Sequence, residues 1–457
     1  MDAISFGTDG WRARLDTFTD ARVRVVGQAV AQYLRDEGHD APVAVGYDAR
    51  ETSEGFAESL AEVLAGNGFD VRLSERDCPT PLVAWAIVDR GLSGAMMVTA
   101  SHNPPEYNGV KFIPDDGAPA LPEVTDAVED RLAEPTLRPK SERGSVERVD
   151  FVESHAAHAR DLVGTDLSGT TVVYDAMHGS GRGVTDALLE AAGANVIRRR
   201  CDRDPTFGGV SPEPSADNLS GLADDVAAHG ADLGIANDGD ADRLAVVTPE
   251  RGFLDENLFF AAAYDYLLED DSGPAVRTVS TTFLLDRVAE AHGEEVFETA
   301  VGFKWVADAM VERDALIGGE ESGGFSIRGH VPEKDGVLVS LLAAAATAEE
   351  PMDHRVDRLL DEHGHIVADK VSLDCPDAEK ARVLADLESV IPDRVAGREV
   401  ADVVTLDGFK LLLADGSWLL VRPSGTEPKL RVYAEASDEK RVGELLEAGR
   451  ELVTPLI

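Results

Sequence analysis

The sequence predicts an α/β protein: three similar α/β domains with central mixed sheets, followed by a smaller C-terminal α+β domain. At 457 residues the chain is too long for one core, and a prior of about 100–200 residues per domain suits three or four units. Short apolar runs alternate with amphipathic stretches, the pattern of sheets covered by helices. From residue 370 onward that alternation gives way to closely spaced strands and one closing helix.

Element by element, Ala41–Tyr47 reads as a buried strand, Glu51–Asn67 as an amphipathic helix, and Gly94–Thr99 as a strand running into a polar loop at Ser101. The charged, Pro-containing stretch Glu129–Glu147 marks a boundary, giving a first domain over 1–150. Thr170–Tyr174 opens a second, over 151–251, in which the strands Asp232–Ala236 and Leu244–Val247 bracket an acidic loop. The third, over 252–369, holds Val276–Thr281, Ala315–Gly318 and a helix after Gly336. The last, over 370–457, has strands at Val371–Leu373, Gly408–Leu413, Trp418–Pro423 and Lys429–Ala434, closed by the helix Glu439–Val453. Aromatic residues make up only 6% of the chain, so the cores are expected to be built from Val, Leu, Ala and Ile.

The formal charge is −43, from 86 Asp+Glu against 43 Lys+Arg. Such a surface repels nucleic acid and anionic membranes, so neither is expected as a partner. The acids are dispersed among regular apolar segments, which argues for a folded, salt-adapted protein rather than a disordered one. Only nine of the positive residues are lysines, and four of them (Lys111, Lys304, Lys334, Lys429) fall in the segments described next. Cys78, Cys201 and Cys375 are scattered and lack metal spacing, as expected of reduced cytosolic thiols. No signal-like start or long apolar run appears, so a cytoplasmic location is expected. Oligomeric state is not legible.

Four segments carry chemistry. In Thr99-Ala-Ser-His-Asn-Pro-Pro-Glu-Tyr-Asn-Gly-Val-Lys111 a serine sits just past a strand end, before a stiff Pro-Pro. That suits an exposed nucleophile, and equally an ordinary Ser/Asn/Pro turn. Glycines do not flank Ser101 as a hydrolase elbow requires. In Asn237-Asp-Gly-Asp-Ala-Asp-Arg243, the alternating Asp238, Asp240 and Asp242 would repel one another without a cation, and hard oxygen ligands favour Mg²⁺ or Ca²⁺. An EF-hand is excluded because Arg243 stands in the glycine position and Pro249 in the final glutamate position. In Gly318-Gly-Glu-Glu-Ser-Gly-Gly-Phe325, Glu320 and Ser322 offer groups suited to sugar hydroxyls. Nearby, Val301-Gly-Phe-Lys-Trp305 places Lys304 at a strand end, and His330-Val-Pro-Glu-Lys-Asp-Gly336 adds a basic residue in a turn. Arg422-Pro-Ser-Gly-Thr-Glu-Pro-Lys-Leu-Arg431 gathers donors into a phosphate cradle, or a tight turn between strands. No nucleotide-binding P-loop occurs, and Val184 breaks the dinucleotide pattern of Gly179-Ser-Gly-Arg-Gly183.

Together with Phe6-Gly-Thr-Asp-Gly10 and Arg12, these segments resemble the α-D-phosphohexomutase superfamily, in particular its phosphoglucomutase/phosphomannomutase branch, over essentially the whole chain. The resemblance implies four domains around a central cleft, each giving one loop to the site. It implies that Ser101 is a phosphoserine, that Asp238, Asp240 and Asp242 hold one Mg²⁺ with a phosphoserine oxygen, and that Lys111, His102 and Arg243 act near the transferring group, Lys111 as general acid/base. Glu320 and Ser322 would meet sugar hydroxyls. Arg422, Ser424, Gly425, Thr426 and Arg431 would hold the phosphate that does not react, with Arg12 and Lys304 as further substrate contacts. The implied reaction interconverts hexose 1-phosphate and hexose 6-phosphate through a bisphosphosugar, with a glucose 1,6-bisphosphate-type activator. The turn at 330–336 favours glucose or mannose. Gly323-Gly324 stands where some branches carry His, which leaves phosphoglucosamine mutase as the alternative and a metal-dependent sugar phosphatase as the alternative from another class.

Overall fold

The structure is a computed structural model that describes residues 4–7, 10–425 and 427–457. Its first sheet has six strands, in the order Trp11–Arg14, Tyr107–Ile113, Ala95–Val98, Val43–Tyr47, Val71–Ser74 and Val146–Val149. The two strands at the Trp11 edge run antiparallel to their neighbours, and the remaining pairs are parallel. The central strands are fully buried, as strands covered by helices on both faces must be. Their apolar runs are therefore continuous rather than alternating.

The second sheet orders Gly252–Leu254, Leu244–Thr248, Leu233–Asn237, Thr171–Asp175 and Asn195–Arg199. The third orders Val296–Thr299, Ala275–Thr278, Ile317–Gly319 and Phe325–Ile327. Both are mixed. The fourth is antiparallel throughout, running from Val367–Asp374 through Lys429–Ala436, Trp418–Pro423, Phe409–Leu413 and Arg398–Val404 to Arg394–Val395.

Three details differ from the sequence reading. Gly252–Leu254 does not open the third unit; it is the edge strand of the second sheet, paired with Leu244–Thr248. Lys304 is not at a strand end but in the first turn of the helix Phe303–Arg313, which starts from Gly302 at φ +123°. The C-terminal unit has a second helix, Asp377–Val390, and the strand Arg398–Val404. Both are largely exposed, the helix burying only Val383 and Leu387, so neither shows a strong apolar periodicity.

The helix Gly336–Glu349 joins the units. It is apolar all round and buried from Gly336 to Thr347, the mark of a helix inside a core rather than on a surface. It follows the third sheet in sequence, yet packs on Leu233–Asn237 and Leu244–Thr248 of the second sheet and on the helices Val152–Val163 and Thr185–Ala191. One hydrophobic core accordingly runs through all three α/β units, from Ala44 and Leu82 through Tyr174 and Leu244 to Phe260 and Leu338. The C-terminal sheet docks on the third unit through Trp418, Leu420 and Tyr433 against Val279, Phe283 and Val301. No disulfide forms, and burial pushes the Cys78 thiol up to about 11. Among the described residues no helix is long and apolar enough to cross a membrane.

Candidate active site

Each sheet carries one of the loops that the sequence singles out. The Ser101 loop leaves the strand Ala95–Val98, and the acidic loop 238–243 joins Leu233–Asn237 to Leu244–Thr248. Residues 320–324 join Ile317–Gly319 to Phe325–Ile327, and residues 424–428 join Trp418–Pro423 to Lys429–Ala436.

The first two loops meet. Ser101 is buried, and its Oγ donates to Asp238 Oδ2 at 2.6 Å. Its backbone is left-handed (φ +49°), as is that of Ala241 in the acidic loop (φ +53°). Non-glycine residues adopt that region at a cost, and such strain collects at functional sites. The approach is close enough to require Gly239, where a Cβ would lie 2.6 Å from the Ser101 carbonyl oxygen.

A clamp absent from the sequence reading holds the Ser101 loop. Arg50, just past the strand Val43–Tyr47, donates from Nη2 to the carbonyls of Ser101 (2.7 Å) and Asn103 (2.7 Å). From Nη1 it donates to Pro104 O (2.7 Å) and Tyr107 O (3.2 Å). Its Nε is held by Asp48 Oδ2 at 2.9 Å, and that same oxygen accepts from Thr99 Oγ1, which in turn accepts from Ser101 N. A guanidinium fork is suited to reach several carbonyls at once. The only sequence signal is an oppositely charged pair, Asp48 and Arg50, at the end of a wholly apolar strand.

Asp238, Asp240 and Asp242 are all buried, and each offers a carboxylate oxygen within 4.8 Å of the others. Burial first, then the charges of Asp240 and Asp242, raise the Asp238 carboxyl far above the usual carboxylate range. Cations offset part of this. Lys111 Nζ lies 3.3 Å from Asp240 Oδ2 and 2.9 Å from Asp242 Oδ2, and Lys334 Nζ lies 3.6 Å from Asp242 Oδ2. Burial opposes the charge on Arg243, but Asp242, Asp238 and Glu320 outweigh it and raise its pKa. Asp242 Oδ1 is buried without a hydrogen-bond partner among the described residues. A loop of three carboxylates, one with such an oxygen, and a serine hydroxyl on a second fits a hard divalent ion of the Mg²⁺ kind.

The acidic loop is braced from all three α/β units. Thr80 donates through Oγ1 to Asp240 Oδ2 (2.6 Å), and its amide donates to Asp240 O. Ser180 N donates to Gly239 O, and Leu244 N to Gly323 O in the third unit's loop. Asn237 Nδ2 donates to Arg243 O (2.9 Å) and Gly336 O (3.1 Å).

Of the other expected residues, His102, Arg12 and Glu320 are close enough to act electrostatically on groups of this centre. His102 Nδ1 is 3.4 Å from Ser101 Oγ. The charge of Arg243, then burial, then Arg12 push its pKa down to about 2, so it is a neutral imidazole. Arg12 sits on the strand paired with Gly109. Glu320 is buried, its Oε1 accepting from Gly302 N at 2.9 Å, and burial followed by Glu321 raises its pKa. Ser322 is half-buried in the same loop. Lys304 Nζ lies 5.6 Å from the Trp305 ring centroid.

The fourth loop does not join the Ser101–Asp238 contact directly. Arg422 is buried and donates from Nε to Asp407 Oδ2 (2.9 Å), which also accepts from Val301 N of the third unit (3.1 Å). Ser424 is buried, Gly425 exposed, and Arg431 Nη2 donates to Glu427 Oε2 at 2.8 Å. Lys380 braces the loop through the carbonyls of Ser424 and Glu427, both at 2.6 Å. Thr426 lies outside the described residues, as do Thr8 and Asp9 of the N-terminal motif.

Comparison with known proteins agrees with the four-domain fold. Four family models match in order: phosphoglucomutase/phosphomannomutase alpha/beta/alpha domain I over residues 3–138, domain II over 150–252, domain III over 255–364 and the C-terminal domain over 371–452. A phosphoglucomutase/phosphomannomutase of Thermococcus kodakarensis is 33% identical, with 98% of each chain covered. A "Probable phosphoglucosamine mutase" of Methanopyrus kandleri is 34% identical, covering 96% of this chain and 95% of the relative. A solved structure from Thermus thermophilus, assigned as a phosphomannomutase, superposes with a TM-score of 0.86 at 33% identity and 99% coverage of both chains. With its four domains matched in order and a relative 33% identical over 98% of each chain, the chain is a phosphohexomutase and belongs to the phosphoglucomutase/phosphomannomutase family.

Proposed function

We propose that the protein interconverts the 1- and 6-phosphates of glucose or mannose through a phosphorylated Ser101. The observation that carries this is the Ser101 Oγ–Asp238 Oδ2 contact of 2.6 Å, with Lys111 on the other two carboxylates. A nucleophile, an acidic metal loop and a cation share one buried spot. Phosphoryl transfer needs mainly positioning and charge stabilisation, and both are provided.

In the first half-reaction a sugar hydroxyl attacks the phosphorus of phospho-Ser101. The P–Oγ bond breaks, and the electron pair stays on Oγ. Lys111 is the proposed proton carrier between the attacking hydroxyl and the serine oxygen. In the second half-reaction the bisphosphosugar, turned over in the cleft, returns its other phosphate to Ser101. Asp238, Asp240 and Asp242 would hold Mg²⁺, which supplies positive charge to the transferring phosphoryl oxygens. Arg243 adds charge from the side. Arg422, Ser424, Gly425 and Arg431, with Thr426, form the proposed seat of the phosphate that is not reacting, while Glu320 and Ser322 meet the sugar hydroxyls. Arg12 and Lys304 are proposed as further substrate contacts, and His102 lies beside the nucleophile.

Phosphoglucosamine mutase is the second reading, favoured by the 34% identity to the Methanopyrus kandleri relative. The test is a panel of glucose, mannose and glucosamine 1-phosphates at high salt with Mg²⁺ and the matching bisphosphates, read beside intact mass. Transfer to the 6-hydroxyl and one phosphoryl group on wild type but not on Ser101→Ala is the expected result. Preference for glucosamine 1-phosphate would overturn the sugar assignment, and release of free phosphate would point to a phosphatase.

A further inference from the structure

A second cluster, buried at His155 and Asp335 and half-buried at Trp85 and His158, gathers side chains from the three α/β units. Trp85, on the helix Thr80–Arg90, stacks on His158 with ring centroids 3.8 Å apart. His158 Nε2 lies 3.1 Å from His330 Nδ1. His155, one turn before His158 on Val152–Val163, has its Nε2 2.5 Å from Asp335 Oδ2. His330 Nε2 lies 2.9 Å from the same oxygen, close enough for charge attraction but without hydrogen-bond alignment.

Both separations are below the about 3.3 Å that two ligands of one tetrahedral zinc keep, so these groups are set against one another, by one hydrogen bond and one charge contact, rather than around a zinc ion. An ionised carboxylate only accepts, so His155 donates through Nε2. Its Nδ1 is buried and makes no hydrogen bond to any described residue. This wholly buried imidazole thus directs its one donated hydrogen bond at Asp335. Burying a polar ring that leaves one nitrogen unsatisfied is costly, which calls for a return elsewhere.

Asp335 supplies it. Its Oδ1 accepts from Leu338 N at 2.8 Å and caps the helix Gly336–Glu349, while its amide donates to Phe325 O at 2.9 Å. The residue before it, Lys334, reaches to 3.6 Å from Asp242 Oδ2. The residue after it, Gly336, accepts from Asn237, the neighbour of Asp238. One carboxylate therefore sets both the start of the helix and the direction in which Lys334 leaves the chain. Burial alone would raise the Asp335 carboxyl, but His155 and His330 outweigh it and hold it far below the usual range.

We propose that His155 is a positioning residue for phosphoryl transfer: it holds Asp335, and through Asp335 it sets the Lys334 ammonium against Asp242. The proposal rests on the mutase reading given above. A misplacement of about 1 Å in a reacting assembly costs up to about 10²-fold in rate. His155→Phe, which keeps an aromatic ring and deletes the donor, is expected to lower kcat at least about tenfold with KM within about twofold. His155→Gln, which carries an amide donor at similar reach, is expected to restore most of the rate. The deciding measurement is the cycle with Lys334→Met. If His155 acts through Lys334, adding His155→Phe to that variant lowers kcat no further. Losses that multiply, or wild-type kcat in His155→Phe, overturn the proposal. Should His155→Phe fail to fold, His155→Ala enters the same cycle under the same criteria. Amine acetylation mapped by peptide mass gives a readout independent of turnover. Lys334 is expected to be protected in wild type and His155→Gln and labelled faster in His155→Phe; equal protection overturns the link. A wild-type enzyme that labels as expected but transfers no phosphate would instead refute the mutase reading.

Discussion

The Arg50 clamp makes a demanding prediction, because its cost can be worked from the contacts. Arg50→Met keeps most of the side-chain volume and removes a guanidinium that is 1% exposed. It strips the partner from four carbonyls of the Ser101 loop and leaves the Asp48 carboxylate, 0% exposed, without its cation. Breaking one side of a buried ion pair costs about 3–5 kcal/mol, a large part of the about 5–15 kcal/mol that holds a typical domain. Burial already raises the Asp48 carboxyl, with Arg50 opposing it, so the variant should take up a proton at Asp48 and moderate that loss. The rate should suffer separately. Ser101 is held in a left-handed conformation by contacts that vanish, and a shift of about 1 Å lowers kcat about 10²-fold, close to 2.7 kcal/mol in the barrier. The assay is a melting scan alongside kcat for wild type, Arg50→Met, Asp48→Asn and the double variant. The double variant should regain part of the lost stability, since no unpaired charge remains, yet none of the rate. Wild-type kcat in Arg50→Met, or strictly additive stability losses in the double variant, would refute the reasoning.

Gly336→Ala should lower mutase activity about 10²-fold and weaken Mg²⁺ binding by calorimetry while circular dichroism stays native, because the new Cβ would lie 2.3 Å from Arg243 O and 2.9 Å from Ala241 O. Asp407→Ala frees both Arg422 and the Val301 amide. It should raise KM about tenfold with kcat nearly unchanged, the sign of lost uniform binding. Burial, then Asp255, pushes the Glu256 carboxyl from 4.5 up to about 7. The folded chain keeps a proton there that the unfolded chain has released, so stability falls as pH rises from about 4.5 to 7, by at most about 3 kcal/mol. Glu256→Gln should flatten that part of the melting-versus-pH curve and melt higher at pH 8. Finally, with a net charge of −43, the melting temperature should climb as salt rises from about 0.1 to 1 M and the screening length falls from about 10 to 3 Å; an unchanged value would refute the salt-adaptation reading.

How far the sequence was legible follows from the range of the interactions concerned. Val43–Tyr47 and Ala95–Val98 read as strands because burial on both faces leaves an unbroken apolar run. The acidic loop reads as a metal site because its three carboxylates are neighbours in sequence. What stayed hidden depends on distant partners. Arg50 is one arginine among many until Ser101, 51 positions on, comes within 2.7 Å of it. His155 and Asp335 are 180 positions apart, and nothing local links them. The sequence shows the helix after Gly336 but not that it packs on the second sheet. Lys304 misled for a local reason: Val301-Gly-Phe-Lys-Trp305 is apolar and aromatic enough for a strand, whereas Gly302, at positive φ, starts a helix.

Lysine usage connects the surface to the site. Of nine lysines, Lys111, Lys334 and Lys410 are nearly fully buried, and Lys380 keeps only 12% of its side-chain surface. Two of these sit on the acidic loop and one braces the fourth loop. Lys410 lies 2.7 Å from Glu298 and 4.2 Å from the Phe283 ring centroid, between the third and fourth units. A general preference for acid on the surface would have removed lysine from exposed positions first, where charge pairs contribute little. It would have spared positions where a compact ammonium does what a guanidinium cannot. Lys111 must fit its single charge between two carboxylates and can exchange a proton, which an arginine retains. On this account Lys111→Arg is not a conservative change. The planar fork would displace the acidic loop, and the charge would survive while proton transfer would not, so activity should fall by more than a charge count predicts.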